Sequence, residues 1–477
     1  MPHAAFVKHR WRWLLLALLA LAVRCQRQEF ALDSSATLYF SSDTLNFDTI
    51  FSPFGSTTFS CRVYNPGDKN LLFSEVRLSG GSASPFRMNV DGRAGSGYSV
   101  GNVKLARRDS LFIFLEVKKN QNLLLTDAIT FVVNGQALSS RLEVVAYGQE
   151  VVVLDRDTAL PGGYTFTADM PYILGGMVTV DSSATVTVAR GARLYFGAKA
   201  GIAVSGTLEV EGTAESPCLF SHPRYNDPWY KEAAGQWEGI SIGAGGRASV
   251  RFARITGARY AFAVTDTLEG GGGGGGGVQL ELKSSVVEFA DVGVRSCNGH
   301  IHADNCLFSN PLTSAVQVEG GSCGFYSCTF AASAYGGTLV TLQSYRLHEK
   351  SKGRYDTVPM PLDAAYFANS IIYGKNTNEL SVREQQGQAA LMRFKLERCA
   401  VKLGSSYDRS NAERYVDVTT QDPAFRNAGK NDFHLSEKSP AINAGLEDIA
   451  SMYPIDADGC DRNASNDKSL GCYAYRQ

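Results

Sequence analysis

Beyond Val178 the chain is divided into apolar stretches of about four residues with glycine between them, strands too short for an ordinary sandwich. Thr185-Val186-Thr187-Val188, Arg193-Leu194-Tyr195-Phe196, Gly201-Ile202-Ala203-Val204 and Thr207-Leu208-Glu209-Val210 follow one another, with Gly191, Gly197, Gly206 and Gly212 at the breaks. Such segments suit the rungs of a coil of parallel strands, where corners are tight and each rung rests on the next. A repeat then emerges: Ser285-Val286-Val287, Cys306-Leu307-Phe308, Cys328-Thr329-Phe330, Ser370-Ile371-Ile372 and Cys399-Ala400-Val401 superpose as a small residue followed by apolar ones. Val287 and Phe308 are 21 positions apart and Phe308 and Phe330 are 22 apart, about one solenoid turn. The glycine run Gly270 to Gly277 and the charged stretch Arg346 to Pro361 fall in the longer gaps. They bury too little to offset their ordering entropy, so they are expected to loop out of the stack.

The repeat also assigns places to its small residues. Cys306, Cys328 and Cys399 are expected to stack as buried residues in one column, and Asn305 and Asn369 to form part of an amide ladder at a corner. Both ends of such a coil expose unpaired strand backbone and need covering.

From Leu38 to Leu154 the texture differs. Phe59, Cys61 and Val63 alternate with Ser60, Arg62 and Tyr64 and run into the turn cluster Asn65-Pro66-Gly67-Asp68. Leu111 to Val117, Ile129 to Val133 and Leu142 to Val145 follow in the same style, with Asn134-Gly135 between two of them. Alternation with turns at this spacing predicts an antiparallel sandwich. Val63-Tyr64-Asn65, the turn, and Leu71 to Leu78 make the segment resemble immunoglobulin-like modules of envelope proteins.

At the N-terminus, Lys8, Arg10 and Arg12 precede the apolar run Trp13 to Val23, which is too short to span a bilayer and has the layout of a secretory signal. Cys25 stands where a lipoprotein is cleaved and acylated, although Arg24 occupies the place of the usual small residue. The chain therefore reads as all-β, with a signal over 1–25, a linker over 26–37, an Ig-like β-sandwich over 38–154, a right-handed parallel β-helix over 155–421 and a cap over 422–477. The expected location is the outer membrane or cell surface, held by a lipid on Cys25, with the periplasm as the other option. Lys plus Arg number 46 against 47 for Asp plus Glu, which lacks the basic footprint of nucleic-acid binding.

Gly206-Thr207-Leu208-Glu209-Val210-Glu211-Gly212-Thr213 and Gly235-Gln236-Trp237-Glu238-Gly239-Ile240 resemble coils of bacterial right-handed parallel β-helix repeat proteins. The segments Asp422-Pro423-Ala424-Phe425, Asp432-Phe433-His434-Leu435 and Ser439-Pro440-Ala441-Ile442-Asn443-Ala444-Gly445, then Asp456 to Gly459, Arg462 and Gly471-Cys472-Tyr473, are similar to the terminal segment of choice-of-anchor β-helix proteins. With the export signal and the sandwich, the whole resembles a Bacteroidetes-type surface lipoprotein, which implies a fold more than an activity. Cys460 and Cys472 depart from that tail, where a polar and a small residue are usual, and suggest a disulfide.

Three constellations carry candidate chemistry. Asp291 and Asp304 in neighbouring turns are the carboxylates to weigh for glycoside hydrolysis, which needs two of them flanking one bond. In His300-Ile301-His302-Ala303-Asp304, strand alternation sends His300, His302 and Asp304 to one outer face, where they are candidate metal ligands. Tyr225, Trp229, Tyr230 and Trp237 lie among polar groups and are candidates for a sugar-stacking platform. No cofactor is implied. The expected function is an envelope scaffold presenting its β-helix surface to a polysaccharide or surface glycan; a polysaccharide lyase or glycoside hydrolase on the same coil, and a spacer without ligand, are the alternatives.

Overall fold

The computed structural model describes residues 30, 35–51, 58–118, 124–227, 230–265, 279–334, 336–351, 353–385 and 387–476. The export signal with Cys25, the glycine run and Trp229 lie outside them. The chain separates into two units, Met1–Glu150 and Val151–Gln477.

The first unit is a sandwich of a four-stranded and a five-stranded sheet. Among the described residues its pairings are antiparallel except that Thr44–Phe51 runs parallel to the last strand, Gln136–Gln149, and that Phe30 forms an isolated parallel bridge with Asn70. The alternation read at Cys61 and Val63 places both inside, with Phe73, Phe86, Ile113 and Phe131. Asn65 organises its turn by accepting from Gly67 N and donating to the carbonyls of Lys69 and Ala106. Asn134 and Gly135, both at positive φ, close a two-residue hairpin whose twist matches the strands it joins.

The second unit is a parallel β-helix with three long parallel sheets of 10, 9 and 10 strands. We term them sheets I, II and III in the order the chain visits them, beginning with Val152–Leu154, Thr158–Leu160 and Thr165–Phe166. The repeat holds in register: Val287 lies opposite Phe308, Phe308 opposite Phe330 and Phe330 opposite Ile372. The charged insertion leaves between sheets II and III as an antiparallel hairpin, Tyr345–Ser351 with Arg354–Pro359, while Phe325 still stacks on Phe367 at 5.0 Å.

The corner from sheet III to sheet I explains the small residues of the repeat. In six successive turns one residue adopts positive φ there: Phe252, Ser284, Asn305, Ser327, Asn369 and Arg398. The residue after it turns inward, where little room is left, and is Ala253, Ser285, Cys306, Cys328, Ser370 or Cys399, all buried. The thiols and hydroxyls donate back to a carbonyl two residues earlier, as Cys306 does to Asp304 at 3.2 Å and Ser370 to Ala368 at 3.0 Å.

The segment from Asp422 does not sit on the last rung. It folds back along the outer face of sheet I, covering Leu307, Ala331, Ile371 and Ala400 with Phe433, Leu435, Ala441, Leu470 and Cys472. Asn305 and Asn369, instead of forming a ladder, clamp this tail. Asn305 donates to the Tyr453 carbonyl at 2.9 Å, and Asn369 both donates to the Leu446 carbonyl and accepts from its N–H, at 2.8 and 2.7 Å. Ser327 stands at the corner between them, so their amides do not meet.

Candidate functional site

The outer face of sheet III carries two columns of side chains set by register. One runs Ser249, Glu281, His302, Gly324, Tyr366, Lys395; the other runs Arg251, Lys283, Asp304, Tyr326, Ala368, Glu397. Gly324 leaves a gap in the first column, and the Tyr326 ring leans across it: a Cβ at 324 would stand 2.7 Å from Tyr326 Cε2. His302, Tyr326 and Tyr366 thus form a file of rings with centroids 5.1 and 5.7 Å apart, all half-buried. Tyr453 of the tail closes one flank, 4.8 Å from Tyr326 and 5.3 Å from His302.

Polar groups border the file. Tyr366 donates to Glu397 Oε2 at 2.5 Å, Lys395 pairs with the same oxygen at 2.6 Å, and the Lys395 ammonium lies 5.6 Å from the Tyr366 centroid. Lys395 and Tyr366 together hold the Glu397 carboxyl below the ordinary range. Burial raises the Glu281 carboxyl, but Lys283 and Ser249 outweigh it and the net shift is downward. Burial pushes the phenols of Tyr326 and Tyr366 upward and that of Tyr453 up to about 12, so the rings stay uncharged. Beyond Tyr366 the face opens into a cavity of about 620 Å³ bordered by Asp363, Arg393, Lys395, Asn411 and Arg414. Ring faces in file, edged by carboxylates and an ammonium, suit the apolar faces and hydroxyl rims of sugars.

Part of the sequence-predicted chemistry converges here. His302 and Asp304 belong to this face, with Nε2 and Oδ2 3.3 Å apart, and Ile301 and Ala303 point inward as alternation requires. The metal reading does not hold: among the described residues no group of three or more potential ligands is assembled. His300 Nδ1 instead meets Ser322 Oγ at 2.7 Å. Asp304 is also buried rather than open, because the tail crosses that corner.

The carboxylate pair is likewise separated. Asp291 lies where sheet I passes to sheet II and accepts from Thr313, whereas Asp304 ends a sheet III strand. The width of sheet I stands between them, so they do not flank one bond. The aromatic platform loses one member, and Trp229 lies outside the described residues. Trp237 is fully buried, stacked on Phe196 at 4.2 Å with its Nε1 donating to the Thr256 carbonyl, because it starts a strand on the core face. Tyr225 stacks on Tyr195 at 5.5 Å and Tyr230 takes the Arg224 guanidinium at 4.7 Å, so this loop packs on its own coil. Cys460 and Cys472 are free thiols in place of the expected bridge: Cys472 is turned against Leu307 and Ala331, with its N–H on Thr329 Oγ1, while Cys460 is only half-buried.

The file of rings itself was missed, although a signal existed. In Phe325-Tyr326 and Tyr366-Phe367 two aromatics are adjacent, and strand alternation sends one of each pair outward.

No protein-family model and no curated protein matches the chain. Among solved structures, the ASH/PapD-like domain of human CEP192 matches at 12% identity and TM-score 0.17, over 25% of this chain and 90% of that one. A family 123 glycoside hydrolase from Clostridium perfringens, described for glycolipid glycan hydrolysis, matches at 7% identity and TM-score 0.19, over 26% of this chain and 30% of that one. The complex of XylC with xylose matches at 8% identity and TM-score 0.34, over 91% of this chain and 89% of that one. At such scores the likeness carries no weight for fold or function.

Proposed function

We infer that this chain is an exported envelope protein of the Bacteroidetes lipoprotein type, anchored through Cys25, that holds a polysaccharide or surface glycan along the outer face of sheet III. The observation that carries the binding reading is the file His302, Tyr326, Tyr366, continued into a cavity whose apolar lining, Met392 and Phe394 among it, is edged by charged side chains. The reading is of a binding scaffold rather than an enzyme. Incubation with a panel of acidic and neutral glycans tests it. Retention by the full chain, weakened by Tyr326→Ala and Tyr366→Ala, with no new reducing or unsaturated ends, is the expected result. Product formation points to a lyase or hydrolase, and neither retention nor product points to a spacer.

A further inference from the structure

Sheet II stops one coil before its neighbours. Its last strand is Leu380–Arg383, whereas sheet I goes on to Ala400–Val401 and a bridge at Thr419, and sheet III goes on to Tyr415–Val416. Residues 402–414, all described, connect those two without forming a strand. A cavity of about 610 Å³ stands where the next sheet II rung belongs, with Leu380, Ser381 and Val382 as its floor and Phe394, Tyr407 and Tyr415 among its walls.

The floor is a sheet edge whose hydrogen-bonding groups have a defined direction. The Glu379 and Arg383 carbonyls accept from Val340 and Ser344 of the rung below, at 3.0 and 3.1 Å. Alternate residues of a parallel strand serve alternate neighbours, so Leu380 and Val382 aim their N–H and C=O into the cleft. Among the described residues no strand pairs with that edge. The side-chain columns define an occupant as well. Leu380 continues Val316 and Val340, Val382 continues Val318 and Leu342, and Ser381 continues Gln317 and Thr341 on the outer side.

We propose that this cleft accepts an extended peptide strand of a partner protein, added parallel to Leu380–Arg383 as the missing rung. Its alternate residues are apolar and face inward, with a hydroxyl or amide residue between them. Backbone amides at strand spacing meet the edge, and apolar side chains complete the columns. The cleft adjoins the cavity beyond the ring file, sharing Phe394, Asn411 and Arg414 with it, but holds none of the three rings and does not depend on the glycan reading.

A fluorescein-labelled peptide with the sequence of this chain's own rung, Ser314 to Glu319, is the probe, because Val316 and Val318 occupy the same columns. Anisotropy with the full-length protein is expected to show saturable binding, abolished when the alternate peptide amides are N-methylated. Val382→Pro is expected to weaken it at least about tenfold, since it deletes a cleft-facing N–H while leaving Ser381 and Arg383 to pair with the rung below. The N-methylated peptide keeps the test decisive whether or not that variant folds. Absence of saturable binding, or equal binding of the N-methylated or a scrambled peptide, overturns the proposal. So does loss of binding in Tyr366→Ala, which would put the peptide in the ring groove.

Discussion

Arg462 donates from Nε to the side-chain oxygen of Asn305 at 3.2 Å, across 157 positions of sequence, and so ties the tail to a corner of the coil. The guanidinium is wholly buried. It also pairs with Asp467 at 2.8 Å and donates to the Ser469 and Gly471 carbonyls at 3.1 and 2.6 Å, which satisfies the charge on every side. Removing one partner of a buried, fully bonded pair leaves the other charge stranded. Arg462→Ala is therefore expected to destabilise the tail by about 3–5 kcal/mol. Amide hydrogen exchange over residues 422–476 measures it, and unchanged protection there would contradict the role assigned to this pair.

Two histidines respond to pH in opposite senses. His434 is held between Asp458 at 3.0 Å and Asp432 at 2.6 Å, stacked on Tyr473, with Arg476 beside Asp458 and Arg426 beside Asp432. The bond to Asp458 leads in raising its pKa above 6.5. Its stabilisation is fully present below 6.5 and is lost as the pH rises through the raised value. Tail protection should fall as the pH rises above 6.5, and His434→Gln should flatten that slope.

His222 behaves in reverse. Burial leads in lowering its pKa to about 4, against the opposing pull of the Tyr230 backbone. The unfolded chain takes up the proton first, so coil stability is lost as the pH falls from 6.5 towards about 4. Chemical denaturation at a series of acid pH values is expected to show a shallower loss in His222→Gln than in the parent.

Gly324→Ala tests the ring file without touching a ring. The added Cβ would stand 2.7 Å from Cε2 and 2.8 Å from the hydroxyl of Tyr326, so the ring must leave the gap it spans. Glycan affinity is expected to drop about tenfold, the scale of one lost aromatic contact. The melting temperature should hardly move, because the change lies on an outer face. An unaltered affinity would remove Tyr326 from the binding surface.

For the two tail cysteines, maleimide added without reductant is expected to modify half-buried Cys460 in the native protein and Cys472 only after unfolding. Burial leads in pushing the Cys472 thiol far above its usual range, which suppresses its reactivity further. A Cys460–Cys472 disulfide found by mass spectrometry would contradict the structure.

The coil was legible in the chain because its determinants are local. Alternation over four or five residues, a turn residue at each corner and a step of 21 or 22 positions specify the rungs and their register, and insertions leave the stack intact. Leu307-Phe308 and Ile371-Ile372 also held a clue about the tail: adjacent apolar residues on a strand need cover on both faces. Which segment supplies that cover was settled only in three dimensions, since it depends on contacts between residues as far apart as Asn305 and Arg462. The same holds for the candidate site. A strand pattern says that His302 and Asp304 face outward, yet only the path of the tail decides that Asp304 is buried and only the gap at Gly324 brings the Tyr326 ring into line.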